Sequence, residues 1–137
     1  MRIFLYEFVS GGGFLGQAAE KIPPSLSREG RAMISALATD FAEIGTVDIL
    51  ADSRLALPIA HANVHPISNT LEEKVVFSEL AAAADFSLVI APEFDLHLLS
   101  RAKWVAEMGG RLLGPDQSAI SLTSDKQRTI EHLNAAG

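Results

Sequence analysis

Arg2-Ile3-Phe4-Leu5-Tyr6-Glu7-Phe8-Val9, running straight into Ser10-Gly11-Gly12-Gly13, is the stretch on which the fold turns. Apart from Arg2 and Glu7, every residue of the octet is apolar or aromatic. A half-exposed strand alternates apolar with polar residues, whereas a strand covered on both faces reads as a continuous apolar run. The octet is of the second kind and predicts the first strand of a parallel sheet enclosed by helices. Glu7 breaks the run. A carboxylate inside such a strand is costly if unpaired, so it should find an Arg, a Lys or a ligand.

Working outward, strand and helix signals alternate in the manner of βαβ units. Ser27 caps a helix reaching about Ile44, with Met33, Leu37, Phe41 and Ile44 on one stripe and Gly45 at its end. Val47 to Ala51 is the second strand, stopped by Asp52-Ser53-Arg54. From Ala56 to Asn69 the prolines Pro58 and Pro66 exclude a regular helix, and a short strand is expected near Asn63-Val64-His65. Thr70 and Glu73 form a capping box for a helix whose Leu71, Val75 and Leu80 face inward. Phe86 to Ala91 is a further buried strand closed by Pro92. A helix from Phe94 to Met108 buries Leu98, Ala102 and Val105 and ends at Gly109-Gly110. Arg111 to Leu113 is the last short strand. Two small helices follow, one from Asp116 and one from Ser124, the latter with a capping box completed by Gln127. The expected fold is an open, doubly wound α/β domain over residues 1–137, its mostly parallel sheet having about five strands.

Composition narrows the function classes. With 137 residues, 48% of them hydrophobic and 20% charged, the chain is globular rather than disordered. The net charge of −6 and the scattered basic residues argue against a nucleic-acid partner. The absence of cysteine excludes a disulfide framework, a thiolate metal site and a Cys nucleophile. Glu7 comes too early for a signal-peptide core, and the stretch from Leu80 to Pro92 is too short to span a bilayer, so no membrane is expected and a cytoplasmic location is. The four histidines show no metal-site spacing, and neither a G-x-S-x-G elbow nor a G-x-x-x-x-G-K-[ST] loop occurs, so no self-contained catalytic set and no metal are expected.

Gly11, Gly13 and Gly16 match G-x-G-x-x-G, and Asp52 ends the second strand where a ribose-binding acid would sit. Pro23-Pro24 intervenes before any long helix, which counts against a dinucleotide site. The glycines could instead form a flexible loop of 14 residues, Ser10 to Pro23, expected to be poorly ordered. The favoured reading is that Ser10, Gly11, Gly12 and Gly13 line a substrate or phosphate pocket with backbone N–H groups, because ligands of open α/β sheets sit beyond the carboxyl ends of central strands. The same rule selects Pro92 and Glu93. Glu93 could hold an amine or hydroxyl, or remain a solvated carboxylate beside a helix start. Asp52 and Arg54 could pair with each other, and Arg28 or Arg31 could bind an anion or stay solvated.

Two segments carry a family resemblance. Tyr6 to Gly13, followed by Ser27-Arg28-Glu29-Gly30-Arg31-Ala32-Met33, resembles the opening of ATP-grasp proteins similar to tyramine–glutamate ligase, an enzyme of methanofuran biosynthesis. Gly114-Pro115-Asp116-Gln117-Ser118-Ala119-Ile120 through Lys126 resembles the segment that closes the Rossmann-like N-terminal domain throughout the ATP-grasp superfamily. The resemblance implies an ATP-dependent ligation of a carboxylate to an amine through an acylphosphate. It also implies that ATP and Mg²⁺ are held by the remaining ATP-grasp domains of the same chain, with none expected in this portion and no catalysis by it alone. Glu7, Ser10 to Gly13, Pro92 and Glu93 are then the substrate-side candidates. Lys126 corresponds to a junction lysine that reaches nucleotide phosphates, or is simply an exposed residue of a capped helix. Homodimerisation stays open. The competing readings are an independent nucleotide- or dinucleotide-binding module and a non-catalytic interaction domain.

Overall fold

The computed structural model describes residues 1–55 and 58–137; Ala56 and Leu57, where the Pro-flanked stretch begins, lie outside the described residues. Four strands, β1 (Arg2–Glu7), β2 (Thr46–Asp52), β3 (Asn63–Ile67) and β4 (Phe86–Ile90), form a parallel sheet in the order β3-β2-β1-β4. Leu5 lies opposite Ile49 on one side and Leu88 on the other, so β1 is central as its apolar run requires. Pro66 is tolerated in β3 because that strand is an edge.

Helices cover both faces. α1 (Pro24–Ala42) packs Ile34 and Ala38 against Ile3, Leu5, Val47 and Ile49. The alternate residues of the same strands, Phe4, Tyr6 and Leu50, join Phe77, Leu80 and Ala81 of α2 (Thr70–Ala83) and Val105 of α3 (His97–Glu107). The period of two along β1 thus divides the core into two layers, which is the doubly wound arrangement. α4 (Gln117–Thr123) and α5 (Lys126–Ala136) complete the chain. Among the described residues no helix is long and apolar enough to cross a membrane.

Several local expectations are corrected. The fifth strand shrinks to one parallel bridge between Ser87 and Leu112, since Gly109-Gly110 and Gly114-Pro115 leave too few residues between them to continue pairing. α1 begins at Pro24 rather than after Ser27, with Pro at the first helical position where its missing N–H is harmless. Its fully buried face is Gly30, Ile34 and Ala38; of the expected stripe, Leu37 and Phe41 pack half-buried against that core and Ile44 is exposed. The cap of α2 is Asn69, whose side chain accepts from the Leu71 and Glu72 amides; Glu72, not Glu73, reaches back to Ser68. Leu71 is 73% exposed, Val75 is also exposed, and Glu73 takes the inward position. α5 is capped by Asp125, which accepts from the Arg128 amide, rather than by Ser124. The segment before α3 is a separate 3-10 turn, kinked where Asp95 and Leu96 adopt positive φ.

Candidate functional site

The strand order changes direction at β1 and β4. The chain leaves β1 for β2 and β3 on one side and returns to the other side through β4. Open α/β sheets bind ligands at this point, beyond the carboxyl ends of the strands. A crevice of about 230 Å³ lies there. Glu7 and Val9 from the end of β1, Ile90 to Pro92 from the end of β4, and Leu26, Glu29, Gly30 and Met33 from the first turns of α1 form its wall.

Glu7 is 2% exposed. Its two carboxylate oxygens accept hydrogen bonds from the Val9 amide (3.0 Å), the Ser10 amide (2.8 Å) and the Ser10 hydroxyl (2.8 Å). Of the expected partners, Arg, Lys or a ligand, neither Arg nor Lys is found among the described residues. Among the described residues it has no cationic partner, and neutral donors alone hold the charge. The chain turns directly after β1, so the amides of residues two and three positions on point back at the carboxylate. Gly30 lets α1 close over it, since a Cβ at that position would fall on the Glu7 carboxylate.

The other predicted residues divide. Pro92 lines the crevice, and Ser10 reaches it through its bonds to Glu7. Gly11, Gly12 and Gly13 are not in the wall. Gly11 packs on the Glu7 carbonyl and the Tyr6 ring, Gly13 on the Phe8 ring, and Gly12 carries φ +106°, which only glycine adopts without strain. Their job in this fold is to reverse the chain tightly inside the domain. Glu93 is exposed beside the 3-10 turn and outside the lining, and Lys126 is exposed at the first position of α5. Arg28 and Arg31 are exposed and also lie outside the wall.

The loop after β1 differs from its expected looseness. Gly11 donates to the Glu7 carbonyl, Gly13 to Phe8, Leu15 to Gly12, and the Asp52 amide to Ser10. Asp52 and Arg54 pair as anticipated at 2.6 Å. Nη1 of Arg54 donates to the Gln17 carbonyl (2.6 Å), and Nη2, besides pairing with Asp52, donates to the Phe14 carbonyl (3.1 Å), strapping the loop to the exit of β2. Asp52 is fully buried in this pair and α1 opens eight residues after Gly16, so the requirements of a dinucleotide fingerprint are absent.

Sequence reasoning missed the α1 side of the crevice. Leu26 carries no motif, and Glu29 and Met33 lie in the resembling segment Ser27 to Met33 but were not singled out there; a further signal was Gly30, a glycine inside a helical pattern. A second polar group lies across the sheet. Glu73 accepts from Tyr6 (2.6 Å) and Arg101 (2.7 Å), and the guanidinium stacks on Trp104 and Phe8. Burial and the neighbouring Glu73 charge hold the Tyr6 hydroxyl well above its ordinary range. Its part is to join β1, α2 and α3. At the amino edge of the sheet, burial favours a protonated Asp48. Hydrogen bonds from Arg2, His65 and Asn63 outweigh that and keep it below the ordinary carboxylate range. Among the described residues no three potential metal ligands converge.

Comparison with known proteins adds the following. The profile of the pre ATP-grasp 3 domain matches residues 46–120. A crystal structure of a chain described as an ATP-grasp superfamily protein from Archaeoglobus fulgidus shares the fold, with a TM-score of 0.72 and 24% identity over 98% of this chain. That match spans 40% of the Archaeoglobus chain. No curated protein matches.

Proposed function

Because the chain belongs to the family of pre ATP-grasp 3 domains, we propose that it is the substrate-side, N-terminal domain of an ATP-dependent carboxylate–amine ligase and is inert by itself. The observation that carries the reading is the crevice at the β1/β4 switch point, walled by apolar side chains around one buried carboxylate. Small-molecule sites have this composition: a mostly apolar concavity with few polar groups that fix orientation. Ser87 and the Glu73–Arg101–Tyr6 group, by contrast, are enclosed by the core.

In the proposed reaction a substrate carboxylate attacks the γ-phosphorus of ATP, giving an acylphosphate and ADP. The amine then attacks the acyl carbon and expels phosphate. In support of placing ATP and Mg²⁺ elsewhere, no three potential metal ligands converge among the described residues, and Lys126 is exposed. ATP and Mg²⁺ are assigned to further domains of the same chain, acting in the cytoplasm, with Lys126 reaching toward the nucleotide phosphates from the junction. Ile130 and Leu133 stand exposed one turn apart on α5, which suits a face covered by such a domain. The opening motif makes tyramine with glutamate, as in methanofuran biosynthesis, the first substrate pair to try.

The test is carbon–nitrogen ligation, measured as ADP release that requires both substrates, with the protein joined to its ATP-grasp domains. Met33→Trp, which fills the crevice, is expected to raise the KM of one substrate at least tenfold. Unchanged constants for both substrates in a folded Met33→Trp protein would remove the crevice from the reaction.

A further inference from the structure

The crevice has an unbalanced charge. Glu7 is buried, ionisable and held only by neutral donors, and Glu29 stands in the same wall. Among the described residues no Lys, Arg or His belongs to the lining. The remaining field is that of α1, whose first turns border the crevice. A helix N-terminus carries about half a positive charge, which is less than either carboxylate supplies and falls off within its first turn. Gly30 lies beyond that turn. A carboxylate or phosphate entering here would meet the buried Glu7 carboxylate at short range, with the exposed Glu29 adding a more screened repulsion.

From this, and resting on the reading of the crevice as a substrate pocket, we infer that its occupant is a protonated amine on an apolar body. Glu7 takes the ammonium, and Val9, Leu26, Met33 and Ile90 cover the hydrocarbon. Neutral donors make this arrangement selective. Each of the three bonds to Glu7 occupies a lone pair without cancelling the charge, so the carboxylate is fixed in orientation yet still lacks a counter-ion. Gly30 contributes by letting α1 pack directly on the carboxylate, which holds Glu7 in the wall of the crevice. Of the two ligase substrates, this domain therefore holds the amine. The acid and its acylphosphate have to approach from outside the crevice.

The test uses the chain with three isosteric probes: 3-methylbutan-1-amine, 3-methylbutan-1-ol and 3-methylbutanoate. Each is titrated at neutral pH while backbone amide resonances are followed. The amine should move the signals of Val9, Gly30, Met33, Ile90 and Ala91, at an affinity at least tenfold above the alcohol, and the carboxylate should move none of them. Glu7→Gln should bring the amine down to the level of the alcohol. If that variant fails to fold, Met33→Trp, which leaves the Glu7 bonds alone, should abolish the amine shifts while keeping a dispersed spectrum. Equal binding of amine and alcohol, or preference for the carboxylate, overturns the inference and leaves the crevice a substrate site of another class. If none of the probes moves the crevice resonances, the inference and the pocket reading fall together. Amine shifts that persist in a folded Met33→Trp protein place the binding elsewhere and also overturn it.

Discussion

Gly30 shows how one missing methyl group ties a helix to a buried charge. Inside a helix alanine is normally favoured over glycine by about 1 kcal/mol, so Gly30→Ala would stabilise most helices. Here the added Cβ falls on the Glu7 carboxylate, which three hydrogen bonds hold in place. Overpacking costs about 1–3 kcal/mol, and disturbing a hydrogen bond to a charged group costs about 1.5–3 kcal/mol. The loss exceeds the propensity gain, so urea denaturation of Gly30→Ala should show a net destabilisation of about 1–3 kcal/mol. A more stable variant would mean that the carboxylate moves aside at no cost. The Glu73 group gives a second residue-scale expectation. Arg101 and Glu73 are both nearly inaccessible, so Glu73→Gln strands a buried guanidinium and should cost about 3–5 kcal/mol. Tyr6 adds a pH dependence. Its folded-state pKa is raised, by burial first and by Glu73 next, while the unfolded phenol ionises near 10. Above about pH 10 the unfolded chain has given up a proton that the folded chain keeps, so stability present below that pH falls as pH rises. Tyr6→Phe should flatten this alkaline decline. The chain has a single tyrosine, so phenolate absorbance should stay absent until the protein unfolds.

At the scale of elements, the loop after β1 depends on one arginine. Arg54 donates from Nη2 to both Asp52 and the Phe14 carbonyl, and from Nη1 to the Gln17 carbonyl. Lysine keeps the charge but loses the fork. Arg54→Lys should therefore raise hydrogen exchange at Leu15 and Gln17 by at least tenfold, which is about 1.4 kcal/mol of local opening, while amides of β1 and β2 keep their protection. Equal acceleration throughout would show that the pair supports the whole domain instead. The sequence foretold this strap only as an ion pair, because carbonyl acceptors of a loop leave no compositional trace. The strands were legible: unbroken apolar runs at Arg2–Val9, Val47–Ala51 and Phe86–Ala91 and the short piece at Asn63–His65 all became strands within a residue or two. Helix faces were less so. On α2 the expected inward stripe was Leu71, Val75 and Leu80; Leu80 is buried, but the rest of the buried row is Glu73, Phe77 and Ala81. A hydrophobic criterion passes over a glutamate whose partners, Tyr6 and Arg101, are 67 and 28 residues away. Of the crevice, the buried position of Glu7 was legible from the strand around it. The α1 wall was not, since which turn of a helix overhangs a strand end is decided by packing.

For the molecule as a whole, charge decides what this domain does by itself. The net charge is −6, and the crevice adds two carboxylates with no basic residue in its wall. Nucleoside triphosphates are polyanions, and sites that hold them combine cations, a metal or a row of backbone amides at a helix start. The glycine-rich loop could have supplied such amides. Instead Gly11 and Gly13 spend theirs on the Glu7 and Phe8 carbonyls, and Ser10 gives its amide to Glu7. No three potential metal ligands converge among the described residues, and Lys126 on α5 is an exposed ammonium. An isolated surface cation is worth at most about 1 kcal/mol toward a partner in water, far short of what a micromolar nucleotide site needs, about 8 kcal/mol. The chain alone should therefore release no phosphate from ATP in the presence of Mg²⁺, and ATP should leave the resonances of Val9, Gly30 and Ile90 unmoved at millimolar concentration. Lys126→Ala should change neither result. Hydrolysis by the purified chain that a substitution at Glu7 abolishes would show a complete nucleotide site within these residues, and would take the reaction away from any further domain.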